Sequence, residues 1–174
     1  KSFLFDVGFI YLIYYIIFMI NTLDGLLTLK NIYLFSNWGV IPFWLLLVFM
    51  PNHSITNFFS NSIIVPLLLA VAYIFVAKGI MLEDNIFEGF KLYLGLDGLN
   101  EVYSNESFRL VFWLHFLAIS LFVGAWIARD AHRHMVPKGL SAPCIIVTYF
   151  TGPFGIIIYW FVRIFYAKKI NFNE

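Results

Sequence analysis

Four long apolar stretches dominate this sequence of 174 residues and constrain its fold more than any other feature. A helix needs about 20 mostly apolar residues to cross roughly 30 Å of hydrocarbon. Because the runs are continuous rather than alternating, they predict helices and not the strands of a barrel. The sequence therefore predicts an all-α membrane protein with four transmembrane helices. The predicted spans are Leu34–Met50, Ser62–Ala77, Leu110–Ala128 and Ala142–Ala167.

The composition supports insertion in a membrane and excludes several other classes. Hydrophobic residues make up 61% of the chain and charged residues only 12%, whereas about a quarter of a soluble domain is charged. A net charge of +1 provides no basic face for nucleic acid. The single cysteine, Cys144, permits neither an internal disulfide nor a cysteine zinc cluster. Membrane lipid is the expected partner.

The amino-terminal part of the chain is ambiguous. Phe3–Ile20 is apolar but contains Asp6, so it is either a fifth transmembrane helix or a helix that lies at the interface or on a partner protein. We therefore divide the chain into an apolar extension, residues 1–32, and a four-helix membrane domain, residues 33–174. Because the first residue is Lys1 rather than methionine, we expect the chain to be either processed or incomplete at its start.

Two loops between the predicted spans differ in charge. Lys78–Arg109 is long and acidic, and its apolar residues between positions 86 and 96 predict a short amphipathic helix on the membrane surface. Arg129–Ser141 is short and basic. Lys168 and Lys169 add positive charge on the side of the long loop, so the distribution of Lys and Arg leaves the orientation open.

His115 is the main ionisable residue inside a predicted span, and such residues are functional candidates because polar groups are costly in hydrocarbon. It is predicted to lie below the interface but not at the midplane. The functional interpretation is a proton donor or a hydrogen-bond partner for a lipophilic ligand. The commoner role of such a residue is a neutral histidine bonded to the backbone of a neighbouring helix, and the sequence leaves both open.

Asp130, His132 and His134 follow the same predicted helix in the pattern Asp-x-His-x-His. Carboxylate and imidazole are ligands for several divalent ions, but this spacing alone is a weak signal and we predict no metal site. The simpler interpretation is that Asp130 ends the helix and anchors it at the interface. Arg163 lies near the end of the last predicted span, where a long side chain can reach the headgroups.

The last span contains the most distinctive motif, from Thr148 to Gly155. Pro153 lacks an N–H group and is predicted to kink the helix. Thr148 and Thr151 are placed to satisfy the backbone near the kink. Gly152 and Gly155 remove side-chain bulk, so that another helix or a flat ligand can come close. Close helix packing is the simpler of these two explanations.

The motifs along the chain resemble those of the abscisic-acid-deficient-four-like membrane proteins, over about residues 33–167. The resemblance rests on Ile41-Pro42-Phe43-Trp44 with Pro51-Asn52 and Thr56, on the block from Trp113-x-His115 through Gly124 and Trp126 to Asp130, and on Pro143-Cys144, Thr148 and Gly152-Pro153-x-Gly155.

The resemblance implies four membrane-spanning helices and, for the plant members, isomerisation of an epoxy-xanthophyll during neoxanthin synthesis. Two positions depart from the pattern: Ser120 stands where the family usually has Asp, and Ala125 where it often has Arg. A charge pair resting on those two residues is absent from this chain. The candidate ligand-binding residues are Trp113, His115, Ser120, Asp130, Thr148, Thr151, Gly152, Pro153 and Gly155.

Two functions follow as hypotheses. The first is a non-catalytic accessory subunit of a larger membrane complex, most simply in the mitochondrial inner membrane, with a bacterial inner membrane or a plastid as alternatives. The second is an isomerase or carrier for a carotenoid or another isoprenoid; an enzyme of this kind would be an intramolecular isomerase of a xanthophyll-like lipid. No cofactor is predicted beyond a bound lipid or isoprenoid.

Overall fold

The computed structural model describes residues 25, 27–59, 64–83 and 86–167. The regular structure of these residues is helical, which confirms the predicted all-α class. Phe3–Ile20 lies outside the described residues, so its crossing and the division at residue 32 stay predictions. The elements are α1 (Leu29–Gly39), α2 (Ile41–Phe49), α3 (Ser54–Phe59), α4 (Ile64–Glu83), a 3-10 helix (Ile86–Tyr93), α5 (Leu96–Ser104), α6 (Glu106–Arg133), α7 (Lys138–Thr151) and α8 (Pro153–Ala167).

Three stretches among the described residues are long and apolar enough to cross a membrane. Leu29–Phe49 comprises α1 and α2, Ser54–Met81 includes α4, and Glu106–Arg133 is α6. They correspond to the first three predicted spans, which supports an integral membrane protein. The helices begin earlier than the apolar runs because polar residues cap them: Asn105 Oδ1 accepts hydrogen bonds from the first turn of α6, including Ser107 N at 2.9 Å.

Helix α6 is the centre of the molecule and contacts α1, α2, α4, α5, α7 and α8. At 28 residues it is about 42 Å long, since each residue rises 1.5 Å. Leu114, Leu121 and Ile127 are completely buried along it. Gly124 allows α2 to pack closely, because a Cβ atom at this position would lie only 2.6 Å from the ring of Trp44.

The fourth predicted span, Ala142–Ala167, is not one kinked helix. The chain reverses at Gly152, which has φ +59° and ψ −100°, a left-handed region that glycine enters without steric penalty. Pro153 then begins α8, a position where its missing N–H has no helical partner to lose. Helices α7 and α8 have 14 and 15 residues, about 21 and 23 Å, and are each too short to cross 30 Å of hydrocarbon. Four crossings are therefore not confirmed.

Contacts along the two short helices show that α8 runs back beside α7. Near the turn, Gly155 lies against Thr148. At the other end, Arg163 reaches Asp130 near the end of α6, where α7 begins. A continuous helix from Lys138 would carry Arg163 about 38 Å away, at 1.5 Å per residue. Helices α7 and α8 therefore form an antiparallel pair, which we call the hairpin.

The long acidic loop contains two short helices where one was predicted. The 3-10 helix and α5 are joined at Gly95, and the salt bridge from Lys91 Nζ to Glu101 Oε1, 2.7 Å long, connects them. Tyr93, Leu94 and Leu96 are 83%, 81% and 71% exposed. Exposed apolar side chains beside charged ones are typical of helices on a membrane surface, and this location stays a prediction.

Candidate functional site

The most concentrated group of polar contacts joins α6 to the hairpin, and we call it the Asp130 cluster: Asp130, His134, Tyr159 and Arg163. The Tyr159 hydroxyl donates a hydrogen bond to Asp130 Oδ2 at 2.7 Å, and Arg163 Nε donates to the same oxygen at 2.8 Å. Asp130 is 8% exposed, Arg163 2% and Tyr159 not at all. The cluster is therefore a buried ion pair supported by a phenol hydrogen bond.

His134 completes the cluster on the side of α6. Its Nδ1 atom lies 3.4 Å from Asp130 Oδ2 and 3.0 Å from the Asp130 backbone oxygen, and the tautomer decides whether it donates there. A buried carboxylate is costly unless it is paired and hydrogen-bonded, and Asp130 meets both conditions. Its carboxylate is thus engaged by protein groups, so we interpret the cluster as the link that fixes the open end of the hairpin to α6.

Two expectations about these residues are wrong. Asp130 does not end the helix at the interface, since α6 continues to Arg133 and the Asp130 side chain turns into the protein. Arg163 does not extend towards the headgroups, because the hairpin carries it back to Asp130 and buries it. The error about Arg163 follows from treating Ala142–Ala167 as one kinked span, which places Arg163 far from Asp130.

Tyr159 and Arg163 were not among the candidates, and His134 was considered only with Asp130 and His132 as a weak metal pattern. One sequence signal pointed to Arg163: Asp130 and Arg163 carry opposite charges beside apolar segments, and buried charges of this kind require partners. That signal identifies a pair only if the chain reversal is known. Asp130, by contrast, was a candidate because it belongs to the motif block that begins at Trp113.

Four candidate residues meet at the closed end of the hairpin. A Cβ atom on Gly155 would overlap Thr148, and one on Gly152 would lie 3.2 Å from the Phe116 ring and 3.3 Å from Ser120 Oγ. The Thr148 hydroxyl donates to the Cys144 backbone oxygen at 2.8 Å. In the structure these glycines accommodate helix packing, and a ligand-binding role for the four residues stays a prediction.

Thr151 and Pro153 are exposed on the outside of the turn. The Thr151 hydroxyl donates to the Val147 backbone oxygen at 2.8 Å, one turn earlier in α7. They therefore lie outside the packing between Gly152, Gly155 and Thr148, and they do not join the Asp130 cluster.

His115 lies in a different place, on a groove between α4 and α6 that has a volume of about 400 Å³. Its ring is 6.4 Å from the ring of Tyr73, measured between centroids. These are the two side chains with hydrogen-bonding groups in an otherwise apolar lining. The described lining consists of Pro66, Leu67, Leu69, Ala70 and Tyr73 from α4 and Leu114, His115, Ala118, Ile119 and Phe122 from α6.

Trp113 belongs to neither the groove nor the Asp130 cluster. Two positions before His115, it points about 200° away around α6, since each residue turns about 100°. It lines a second cavity, which lies between α1 and α6, and its ring is 6.3 Å from that of Tyr33. The candidate residues therefore occupy five separate places along α6 and the hairpin.

Metal binding was not expected at Asp130, His132 and His134. Across residues 27–59, 64–83 and 86–167 the structure brings together no group of three His, Cys, Asp or Glu side chains suited to an ion. His132 is exposed, while Asp130 and His134 belong to the Asp130 cluster.

Comparison with known proteins places this architecture in a family. The family model described as ABA DEFICIENT 4-like matches residues 31–159. The chain belongs to the ABA DEFICIENT 4-like family. The matched region contains the groove, the hairpin turn, Asp130 and Tyr159. The searches among curated proteins and among solved structures found no match.

The two departures from the family pattern lie on packed faces of α6. Ser120 is 3% exposed and touches the hairpin turn at Gly152; Ala125 is 2% exposed. Neither residue lines the groove that contains His115. At positions 120 and 125, this family member therefore has small uncharged side chains where the resemblance implies charged ones.

Proposed function

We propose that this member of the ABA DEFICIENT 4-like family binds an elongated apolar lipid of the isoprenoid class in the groove between α4 and α6, without transforming it. The observation that carries the proposal is the placement of His115 beside Tyr73 in an otherwise apolar groove. The scaffold associated with neoxanthin synthesis supports the choice of an isoprenoid, because that chemistry handles long polyenes.

The groove has suitable dimensions and polarity for such a lipid. Its volume of about 400 Å³ falls within the 300–1,000 Å³ typical of small-molecule pockets, which are mostly apolar with a few polar groups. A neutral imidazole donates one hydrogen bond and accepts one, and a phenol does both. His115 and Tyr73 are thus suited to hold one hydroxyl, ketone or epoxide oxygen while the hydrocarbon lies along the two helices.

The residues around the groove favour binding over conversion. The resemblance implies charges at positions 120 and 125, but this chain has Ser120 and Ala125, and neither lines the groove. The described lining contains no carboxylate, and its acid–base groups are the imidazole of His115 and the phenol of Tyr73. The loss of the family's usual charged groups supports a binding or carrier role.

Two matched probes test the proposal: geranylgeraniol and the hydrocarbon of the same carbon skeleton, which differ by one hydroxyl. Equilibrium binding is measured on the purified protein in dodecyl maltoside. One net hydrogen bond contributes about 1 kcal/mol, so we expect the alcohol to bind about fivefold more tightly. His115→Phe should remove this preference and retain the affinity for the hydrocarbon.

Neighbouring positions on α4 provide the control. Ala70 lines the groove, whereas Val71 is 59% exposed and outside it. Ala70→Phe should weaken both probes at least tenfold, and Val71→Phe should leave both unchanged. Equal binding of the two probes to the unmodified protein, or equal effects of the two Phe substitutions, would refute the proposal. Conversion of an added epoxy-xanthophyll would establish the isomerase instead.

We propose a second candidate function, that of a non-catalytic accessory subunit of a membrane complex. Exposed aromatic side chains on α1 and α2 favour it. Phe35 and Phe49 are 69% exposed and Trp38 is 66% exposed, and such side chains pack well against partner helices. Purification in digitonin should recover stoichiometric protein partners, and Phe35→Ala with Trp38→Ala should release them. Phe165→Ala, at a 79% exposed site on α8, is the control. The mitochondrial inner membrane belongs to this proposal, and cell fractionation tests it.

A further inference from the structure

The second cavity, between the first turns of α1 and α6, has a different character from the groove. Its volume is about 430 Å³. Lys30 contributes an ammonium, Arg109 a guanidinium and Glu106 a carboxylate to its lining. The second cavity therefore has two positive groups and one negative group in its lining, whereas the lining of the groove is almost entirely apolar.

The cationic groups retain donors for a ligand. Arg109 Nη1 donates to the backbone oxygens of Tyr103 and Ser104 at 3.3 and 3.1 Å, which fixes the side chain and leaves Nε and Nη2. Lys30 has no ion-pair partner among the described residues. Both helices also direct their amino-terminal ends to the cavity, and this end of a helix attracts anions.

An unsatisfied polar atom belongs to one of the side chains that line the cavity. The indole N–H of Trp113 is buried and has no hydrogen-bond partner in the described part of the chain. Leaving such a donor unpaired is costly, because it has lost water without gaining a partner. The ring of Trp113 lines the same cavity as Lys30, Glu106 and Arg109.

The rest of the cavity lining is mostly apolar. Leu29 and Leu110 line it, and the rings of Tyr33 and Trp113 lie about one turn further along α1 and α6 than Lys30 and Arg109. A ligand here has a charged head at the first helical turns and hydrocarbon along the helices. That description fits a membrane phospholipid.

We propose that this cavity binds a glycerophospholipid whose head contains both a phosphate and a primary ammonium, such as phosphatidylethanolamine. The phosphate pairs with Lys30 and Arg109, and the ammonium donates to the Glu106 carboxylate. Phosphatidylglycerol has hydroxyls but no cation for Glu106, and the quaternary ammonium of phosphatidylcholine has no N–H to donate. The charges therefore select one head among common membrane lipids.

Native mass spectrometry of the delipidated protein measures the affinity for each lipid at matched acyl chains. We expect phosphatidylethanolamine to bind about tenfold more tightly than phosphatidylcholine or phosphatidylglycerol. Lys30→Gln should weaken it about tenfold, and Glu106→Gln should reverse the preference towards phosphatidylglycerol. Glu101→Gln, at an exposed carboxylate outside the cavity, is the matched control and should change nothing.

Two results would overturn the proposal. The first is a lack of discrimination between head groups. It would be seen as equal affinity for the three lipids in the unmodified protein, or as an unchanged lipid preference after Glu106→Gln. The other is displacement of the lipid by inorganic phosphate or phosphoethanolamine at similar molar concentrations, which would show a site for the free anion rather than for a lipid. Binding of geranylgeraniol in the groove does not depend on either result.

Discussion

Replacing Arg163 with methionine tests the hairpin and the Asp130 cluster together. Arg163 Nε lies 2.8 Å from Asp130 Oδ2, and both side chains are more than nine-tenths buried. Methionine keeps an unbranched apolar stem like that of arginine but lacks the guanidinium group and its charge. Among the described residues, the carboxylate of Asp130 then keeps the Tyr159 hydroxyl at 2.7 Å and His134 at 3.4 Å.

The expected loss follows from the burial of the pair. Removing one partner of a buried ion pair destabilises a protein by about 3–5 kcal/mol, because the remaining charge is uncompensated. Adding Asp130→Asn to Arg163→Met removes that charge while the amide oxygen still accepts from Tyr159. We therefore expect the double variant to recover about 2 kcal/mol of the loss, a coupling within the range for residues in direct contact.

Unfolding by SDS in mixed micelles measures these differences, with tryptophan fluorescence as the signal. Trp126 reports on the cluster, since its ring is 5.7 Å from the ring of Tyr159 in an edge-to-face contact. Glu101→Gln is the control: it breaks the exposed pair with Lys91, and exposed pairs contribute about 0–1 kcal/mol.

A loss for Arg163→Met no larger than that for Glu101→Gln would refute the reasoning. It would mean that Arg163 is solvated, as it would be at the far end of a straight helix from Lys138. The absence of any recovery in the double variant would equally show that Asp130 and Arg163 are not partners. Either result removes the antiparallel hairpin as well as the ion pair.

Two further predictions concern the hairpin. Gly155→Ala places a methyl group against the backbone of α7, so it should destabilise the protein by more than 1 kcal/mol in the same unfolding assay. The control is Gly139→Ala, which should not destabilise the protein because the space around Gly139 is open. In a Cys144→Ala background, Lys138→Cys and Ala167→Cys should react with an impermeant maleimide from the same side of sealed vesicles; labelling from opposite sides would show that the segment crosses the membrane.

The helical class and the first three apolar segments were predictable because they depend on local composition. Leu34–Met50 was found by its continuous hydrophobicity. The structure differs at the ends, with a stretch from Leu29 to Phe49, and at Val40, where the stretch divides into α1 and α2. Helix ends depend on capping by residues such as Thr28, whose side chain accepts from Asn31 N at 3.3 Å. A hydropathy pattern does not include that interaction.

The chain reversal at Gly152 was not predictable from the same kind of evidence. A glycine followed by Pro153 is compatible with a kinked helix and with a turn, and the apolar run continues through both residues. What separates the two is the positive φ of Gly152 together with the contact of Gly155 with Thr148. Both features depend on tertiary packing, because α8 runs back beside α7 only if α6 provides a surface for α8 to pack against.

The candidate residues divide in the same way. His115 was selected because ionisable groups are rare inside apolar helices, and Asp130 because it belongs to the motif block that begins at Trp113; the structure gives each a distinct environment. Tyr159 and Arg163 were missed because their importance lies in proximity to Asp130. Once the reversal is known, the opposite charges of Asp130 and Arg163 identify the pair directly.

On α6, the side chain that lines the groove and the side chain that departs from the family pattern point in different directions. Ser120 contacts the hairpin turn, whereas His115 faces α4; five residues along a helix turn through about 500°, so the two side chains point about 140° apart. A charge lost at Ser120 thus alters the packing of the hairpin and leaves the groove lining as it was. For this reason a family member can lose the acidic group and keep the groove in which we propose that a lipid binds. By the same reasoning, Ser120→Asp should destabilise the hairpin without changing the preference for geranylgeraniol, and a changed preference would show that groove and hairpin are coupled.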